Sequence, residues 1–144
     1  MWTHDGSKVV AIPRGENAIK ILDIESGEMT TGAKSGRNPY RAVISPDNRR
    51  LAIGWGGAND VEPELGIYDL NTGEAIARIK RAGVLGFSPD SMTLLGGGSE
   101  DSSYNSKTER ETLVAKFSIY DATDGKRIRT LNLFGEVSSH RSNE

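Results

Sequence analysis

The sequence predicts an all-β chain in which one four-stranded unit recurs three times. A first signature appears as THDGSKVVA, SPDNRRLAI and SPDSMTLLG, and its aspartates Asp5, Asp47 and Asp90 are 42 and 43 residues apart. A second signature follows each of these, as IKILDIESGE, LGIYDLNTGE and FSIYDATDGK. Glycine is abundant, at 17 of 144 residues, which suits short strands joined by tight turns. Two linked signatures at one period indicate a repeat architecture.

The first signature predicts a turn followed by a strand. A serine or threonine two residues before each aspartate supplies, with the aspartate itself, side-chain oxygens that bond the backbone of the turn. Pro46 and Pro89 preset the backbone φ angle in the second and third copies. Short β-prone runs follow each turn, at residues 9–12, 51–53 and 94–95.

The second signature predicts a strand that ends in a tight hairpin. Apolar and other residues alternate along Leu65–Asp69, as they do in a β-strand. An aspartate stands four residues before Gly27, Gly73 and Gly125, and glycine readily takes the positive φ that such turns need. A further strand follows the turn, seen at 75–79 and 127–133. Each full unit therefore has four strands and no helix.

A period of about 40–45 residues with four strands is typical of the blades of a β-propeller. The run SPDxxxLAxG, followed by IxIYDxxTG, resembles the WD-repeat β-propeller family, and the resemblance covers residues 2–133. The family's Trp-Asp pair stands here as Leu22-Asp23, Tyr68-Asp69 and Tyr120-Asp121, and its Gly-His pair is missing. The resemblance implies a divergent propeller segment of about three four-stranded antiparallel blades.

The predicted units span about 1–32, 38–80 and 82–133, and a polar C-terminal tail follows at 134–144. Only Met1 and Trp2 precede the first turn, so we expect the first blade to be incomplete. Three blades do not close a ring, because propellers have typically 4–8 blades. Either the chain is a fragment of a longer propeller or it closes the ring by self-association, with residues 135–139 as a candidate for the missing strand.

The units differ most between their second and third strands. The two aspartates of a unit are separated by 18, 22 and 31 residues, and insertions confined to one face often mark a binding face. We predict a protein- or peptide-binding surface there, formed by Trp55, Asp60 and Glu62 in one loop and by Asp101, Tyr104 and Asn105 in the longer one. The alternative is that both loops are solvated excursions, with Trp55 covering a blade edge.

Composition argues against several other functions. Cysteine is absent and His4 and His140 are the only histidines, so a multi-histidine metal centre or a Ser-His-Asp triad is not expected. A net charge of −2 does not favour nucleic-acid binding. Calcium binding by Asp60, Glu62 and Glu64 is disfavoured against simple solvation of these carboxylates.

No apolar run is long enough to span a membrane and no signal peptide is evident. We therefore expect no membrane association and a cytoplasmic location, or a periplasmic one if the chain is truncated at its N-terminus. The predicted function is a non-catalytic protein-interaction scaffold without a cofactor. The alternative implied by the resemblance is the propeller portion of a larger enzyme, of the peptidase-gating or propeller dehydrogenase type, whose catalytic residues lie outside this chain.

Overall fold

The computed structural model of the chain describes residues 1–13, 15–34, 37–56, 62–105 and 110–138. Side chains are described in these ranges except at 98–105, 110–115 and 133–138. The described residues form eleven β-strands and no helix, so the predicted all-β class is confirmed. The strands are β1 (Lys8–Ala11), β2 (Ala18–Asp23), β3 (Met29–Lys34), β4 (Pro39–Ile44), β5 (Arg50–Trp55), β6 (Glu64–Asp69), β7 (Ala75–Lys80), β8 (Gly83–Phe87), β9 (Thr93–Asn105), β10 (Arg110–Asp121) and β11 (Arg127–Ser138).

The strands form three antiparallel sheets, which we term blades 1, 2 and 3. Blade 1 has the order β1-β2-β3, blade 2 the order β4-β5-β6-β7, and blade 3 the order β8-β9-β10-β11. Within each blade, every strand pairs with the next one along the chain, because short connections allow only antiparallel neighbours. The predicted segment of three blades, with a first blade that lacks a strand, is therefore confirmed.

The N-terminus occupies the position of the missing strand for a short stretch. The Val10 amide donates to the Met1 carbonyl at 2.7 Å, and Trp2 forms an isolated bridge with Val9. Residues 1–3 thus lie beside β1 where β4 and β8 lie in the other two blades.

Apolar side chains are buried between neighbouring blades rather than within any one of them. The core between blades 1 and 2 includes Val10, Ile19, Ile21, Leu51, Ile53 and Trp55. The core between blades 2 and 3 includes Ala52, Leu65, Ile67, Val84, Leu94 and Tyr120. Blade 2 contributes to both cores, so β5 and β6 are buried on both faces and read as nearly continuous apolar runs. Strands covered on both faces carry that pattern instead of a polar alternation.

Glycine in the signature LGIYD has a steric role. A Cβ atom added at Gly66 would lie 2.4 Å from the ring of Tyr68, a distance that real side chains do not tolerate. The ring of Tyr68, the residue before the second aspartate, therefore occupies the space that a side chain at position 66 would need. Blade 3 has a similar arrangement, but its two residues lie on neighbouring strands. A Cβ atom added at Gly96 of β9 would lie 2.8 Å from the ring of Tyr120 of β10.

Blade 3 extends beyond its neighbours as a three-stranded ribbon. Its strands β9, β10 and β11 have 13, 12 and 12 residues, whereas β8 pairs with β9 only as far as Gly97. The longer insertion, expected as a loop that contains Asp101, Tyr104 and Asn105, is therefore largely strand. Residues 134–138, expected in a polar tail, pair with β10 instead, so they are not available as the missing strand of blade 1.

Both differences have the same cause. Each residue added to a hairpin lets further backbone N–H and C=O groups form hydrogen bonds across the strands. Local composition at 98–112 and 134–138 does not reveal this gain. None of the described ranges forms a helix with the length and hydropathy needed to cross a membrane.

Candidate functional site

The two ends of the blades carry different kinds of connection. At one end, the turn end, lie the turns at 4–7, 24–28, 45–49, 70–74, 88–92 and 122–126. At the opposite end, the loop end, the chain makes the connections β1–β2, β3–β4, β5–β6, β7–β8 and β9–β10. The predicted insertions belong to the β5–β6 and β9–β10 connections, so the strand directions assign both to the loop end.

The first turn is closed by the same hydrogen bonds in every blade. In blade 2, the Ser45 hydroxyl donates to Asp47 Oδ1 at 2.6 Å and accepts from the Arg50 amide at 2.9 Å. The equivalent groups are Thr3, Asp5 and Lys8 in blade 1, and Ser88, Asp90 and Thr93 in blade 3. A hydroxyl is required because one atom must both donate and accept.

The second turn is also repeated. The Gly73 amide donates to the Asp69 carbonyl at 2.9 Å, and Gly73 has a φ of 74°. Asp69 Oδ1 accepts hydrogen bonds from the amides of Asn71 and Thr72. The same backbone bond joins Gly27 to Asp23 and Gly125 to Asp121. The hairpin predicted from the Asp-x-x-x-Gly spacing is therefore present in all three blades.

These hydrogen bonds lower the pKa values of several turn aspartates. The Ser7 amide and the hydroxyls of Thr3 and Ser7 lower the pKa of Asp5 to about 2. Hydrogen bonds also lower the pKa values of Asp90, mainly from Ser88, and of Asp121, mainly from Thr123. A carboxylate with so low a pKa is poorly suited to proton transfer near neutral pH. The turn aspartates therefore act as hydrogen-bond acceptors that hold the backbone.

The turn end also joins one blade to the next. The His4 amide of blade 1 donates to Asn48 Oδ1 of blade 2 at 2.7 Å. In the same way, the Asp47 amide of blade 2 donates to the Ser91 hydroxyl of blade 3 at 3.0 Å. Pro46 stands at the position of His4 but has no N–H. In blade 2 the donor is therefore the next residue, Asp47. The corresponding residue of blade 1 is Gly6, which has no side chain to make such a bond.

A charged cluster lies at the loop end of blade 2. Glu62 Oε1 accepts a hydrogen bond from Arg81 Nε at 2.7 Å and lies 2.6 Å from Arg81 Nη2. Arg37 donates to the Glu62 carbonyl. The Arg81 guanidinium lowers the pKa of Glu62, and Glu62 in turn raises the pKa of Arg81. We term Arg37, Glu62 and Arg81 the loop-end cluster.

A second ion pair lies nearby and connects two blades. Arg78 Nη1 lies 3.2 Å from Glu64 Oε1, and Arg78 Nη2 donates to the Lys34 carbonyl of blade 1 at 3.1 Å. Both carboxylates of the short insertion that the structure describes, Glu62 and Glu64, therefore face arginines. Sequence reasoning missed these pairs because the partners are 14 and 19 residues apart on different connections and strands.

Trp55 is not exposed, and the expectation that it forms part of a surface was wrong. Its side chain is fully buried in the core between blades 1 and 2, where its ring meets that of Tyr68 edge to face with centroids 6.1 Å apart. Trp55 is the last residue of β5 and continues the face formed by Leu51 and Ile53. This i, i+2 alternation was the sequence pattern that indicated burial of Trp55. The glycines that follow Trp55 are typical of a loop and made the pattern harder to recognise.

The other predicted site residues have different outcomes. Asp60 lies outside the described residues, as does His140. Asp101, Tyr104 and Asn105 belong to β9, where Asp101 pairs with Val114 and Tyr104 with Glu111, while their side chains lie outside the described part. Glu62 is the one predicted residue whose side chain the structure describes at the loop-end surface.

The outward face of blade 3 carries an apolar cleft of about 460 Å³. It is lined chiefly by Leu85, Phe87, Leu95, Ile119 and Leu131. This face is equivalent to the face of blade 2 that packs against blade 3. Its chemistry is that of a blade-packing surface, since it offers apolar contact and few polar groups.

Metal binding and histidine chemistry find little support in the described part of the chain. Within those residues, no group of three or more histidines, aspartates or glutamates is arranged to hold a metal ion. His4 is exposed at the turn end, with Nε2 3.4 Å from the Ile44 carbonyl. The charged side chains that the structure brings together on the described surface include those of Glu62 and Arg81 at the loop end.

Comparisons with known proteins find similarity of structure only. No protein-family model matches the sequence, and no curated protein matches it. Among solved structures, a eukaryotic initiation factor is similar over 92% of this chain and 31% of its own, with 18% identity and a TM-score of 0.66. The β-propeller domain of the Trilobed protease from Pyrococcus furiosus is similar over 88% of this chain and 38% of its own, with 22% identity and a TM-score of 0.54.

The tricorn protease is also similar, over 79% of this chain and 13% of its own, with 18% identity and a TM-score of 0.57. The chain thus spans less than half the length of each of these three proteins. At such low sequence identity these similarities concern the fold alone. The chain forms blades of a β-propeller.

Proposed function

We propose that the chain is a non-catalytic scaffold of divergent WD-like blades that binds a protein or peptide at its loop end. The observation that carries the proposal is the contrast between the two ends of the blades. The turn end repeats one set of hydrogen bonds three times, whereas the connections at the loop end differ in length and composition from blade to blade. In repeat proteins, insertions that map to one face often mark the binding face.

The loop-end cluster supplies the chemistry for such binding. Its ion pair is open to solvent, because the side chains of Arg81 and Glu62 are 73% and 56% exposed. A partner with its own charged groups can exchange ion pairs with both residues, and charges in such positions govern partner choice and association rate. We expect the partner to carry both acidic and basic side chains and to bind less tightly at high salt.

The β-ribbon of blade 3 extends from the same end. By register, Asp101, Tyr104 and Asn105 lie on the part of β9 that β8 does not cover. We propose that an extended peptide pairs with this uncovered stretch of β9, by the β-augmentation that exposed sheet edges support. Binding would then combine side-chain charge with backbone hydrogen bonds.

A phage-displayed library of random peptides, selected against the immobilised chain, tests this proposal. We expect the enriched peptides to lose about tenfold or more in affinity, or about 1.4 kcal/mol, for the variant Arg81→Glu. The matched control is Lys126→Glu, which reverses a charge in the exposed Lys126–Asp124 pair at the turn end.

Peptide affinity should be unchanged in the Lys126→Glu variant. Equal weakening by both reversals, or none by Arg81→Glu, would contradict a binding site at the loop end. Failure to enrich any peptide above background would contradict the peptide-binding role itself.

A second candidate is that these blades belong to the propeller of a larger enzyme. Two of the similar structures described above belong to proteases, and the chain spans only a minor part of each. In this case the loop end would face a separate catalytic domain. Labelling the longest native form of the protein with a fluorophosphonate tests for a serine hydrolase, and we expect a labelled species larger than the 144-residue chain. A native protein that shows no labelling and no peptidase activity would argue against this candidate.

A further inference from the structure

The outward face of blade 3 matches the face of blade 2 that blade 3 covers. Leu95, Ile119 and Leu131 stand at the positions of Ala52, Ile67 and Ile79, which pack in the core between blades 2 and 3. The register agrees, because Ile119 pairs with Arg129 just as Ile67 pairs with Ala77. Leu131 is 39% exposed. The outward face thus keeps the apolar pattern of a blade-packing surface, although no described strand covers it.

The free face of blade 1 is apolar in the same way. Trp2, Leu22 and Ile24 stand at the positions of Ile44, Tyr68 and Leu70, which pack in the core between blades 1 and 2. The bridge between Trp2 and Val9 repeats the pairing of Ile44 with Leu51. Trp2 and Ile24 are 62% and 44% exposed. Blades 1 and 3 therefore each present one half of a core of the kind that joins neighbouring blades.

The turn glycines show how one blade sits on the preceding one. A Cβ atom added at Gly125 of blade 3 would lie 2.4 Å from the Cβ atom of Ala77 in β7, and one added at Gly73 of blade 2 would lie 3.4 Å from Gly32 in β3. Each of these turns thus packs against the outer strand of the blade before it. The equivalent residue of blade 1 is Gly27, and a Cβ atom added there would meet no described atom within 4 Å.

Arg129 indicates which turn the outward face of blade 3 accepts. It is exposed and stands at the position of Ala77, beside which a following blade places its turn glycine. The turn of blade 1 contains Glu25 and Glu28, so residues 24–28 have a charge of −2, against −1 and 0 for the equivalent turns of blades 2 and 3. Of the three turns, that of blade 1 complements Arg129 best.

We infer that two copies of the chain associate head to tail, with blade 1 of each copy packed on blade 3 of the other. Glu25 and Glu28 of one copy then lie around Arg129 of the other, and opposite charges across an interface favour the correct pairing. Two copies of three blades give six, which is within the range of closed propellers. A head-to-tail contact that closes by rotation forms a ring rather than a filament.

Two features should make this contact weaker than the contacts within the chain. Gly6 has no side chain to accept the hydrogen bond that Asn48 and Ser91 accept from the preceding blade. Lys20 lies on the same face of blade 1 as Ala11, and its Nζ atom is 3.4 Å from a carboxylate oxygen of Glu16. We therefore expect the dimer to dissociate on dilution and to depend on the charge of Arg129.

Sedimentation equilibrium of the full 144-residue chain across a dilution series tests the inference. We expect the parent to form a dimer of about 31 kDa, twice the chain mass of 15.6 kDa. Arg129→Glu should weaken the dimer about tenfold or more, because it brings like charges together at both contacts. Adding Glu25→Lys and Glu28→Lys to Arg129→Glu should restore the dimer, since the charges attract again with their signs exchanged.

Arg127→Glu is the matched control on the same strand. Arg127 pairs with Tyr120, which packs in the core between blades 2 and 3, so it belongs to the opposite face from Arg129. This variant should leave the dimer unchanged. Ile24→Asp should weaken the dimer at least as much as Arg129→Glu does, because it places a charge in the apolar part of the contact.

Three outcomes would overturn the inference. A parent that stays monomeric would mean that something other than a second copy covers these faces. A dimer indifferent to both Arg129→Glu and Ile24→Asp would use a different surface, and species that keep growing beyond the dimer would show that the ring does not close. Circular dichroism melting of each variant establishes that the altered chains are folded.

Discussion

The turn end and the loop end of the blades are built from the same strands but follow different rules. At the turn end, Ser45 and Asp47 make bonds that recur in the other two blades with nearly the same lengths. At the loop end, Glu62 and Arg81 form a pair with no counterpart among the described residues of the other blades. A feature that recurs in every repeat serves the repeat itself, and a feature that occurs once is free to serve a partner.

The two ends differ in how their backbone N–H and C=O groups are hydrogen-bonded. Each turn must satisfy several amides within a few residues, so the side chains that do this are restricted to serine, threonine and aspartate. The loop end bears no such restriction, because longer connections can be solvated. Substitutions at the two ends should therefore have separable effects.

The largest effect on the free energy of unfolding is expected at Trp55, which lies at the loop end but belongs to the core. Trp55 ends a strand at the loop end but is fully buried, so Trp55→Ala should lower the free energy of unfolding by about 3–5 kcal/mol. Urea unfolding measures the loss. Trp55→Phe leaves a smaller cavity and should lower the free energy of unfolding by less. It allows the comparison to be made even if the alanine variant does not fold.

The control for Trp55 is Trp2→Ala, since Trp2 is 62% exposed and its loss should cost less than about 1 kcal/mol. Equal losses for the two tryptophans would mean that Trp55 is not the core residue described here.

At the turn end, Ser45→Ala should lower the free energy of unfolding by about 1–3 kcal/mol. Ser45 is fully buried. Loss of its hydroxyl leaves the Arg50 amide without this partner and removes one of the two hydrogen bonds that Asp47 Oδ1 accepts. Ser7→Ala provides the comparison, because the Ser7 hydroxyl also bonds an aspartate, at 2.8 Å, but is exposed. We expect a loss of no more than about 0.5 kcal/mol for Ser7→Ala. A larger loss there than at Ser45 would contradict the structural role of the buried hydroxyl.

Acid should destabilise the fold through the turn aspartates. The folded chain lowers the pKa of Asp5 to about 2, so its stabilising effect is complete above the unfolded pKa of about 3.9 and is lost as the pH falls through 2. The urea midpoint should therefore be steady near neutral pH and fall between about pH 4 and pH 2. Asp5→Asn should reduce this fall. An Asp5 carboxyl that titrates at its ordinary pKa by NMR would refute the explanation.

The smallest effect is expected for the loop-end cluster. Glu62→Gln removes an ion pair between two exposed side chains, and such pairs contribute little to stability because water screens them. We expect the urea midpoint to stay within experimental error of the parent at both low and high salt. A clear loss would show that the cluster holds the fold and is less free to bind.

The turn end was predictable from the sequence because its chemistry is local. Asp69 and Gly73 are four residues apart, and their spacing alone indicates the hairpin. The loop end was not predictable in the same way, because its contacts join distant positions: Glu62 meets Arg81 across 19 residues. The burial of Trp55 depends on blade 1, which packs over it, and the polar composition near Asp101 resembled a loop although β10 provides it with a strand partner.

The hydrogen bonds of the turn end hold the fold, and we propose that the loop end binds a partner. The most direct test compares the free energies of unfolding in urea of two triple variants. One alters the turn end, with Thr3→Val, Ser45→Ala and Ser88→Ala, and the other alters the loop-end cluster, with Arg37→Gln, Glu62→Gln and Arg81→Gln. We predict a loss of about 3 kcal/mol or more for the first and a midpoint close to the parent for the second. A loop-end variant that loses as much stability as the turn-end variant would contradict the account.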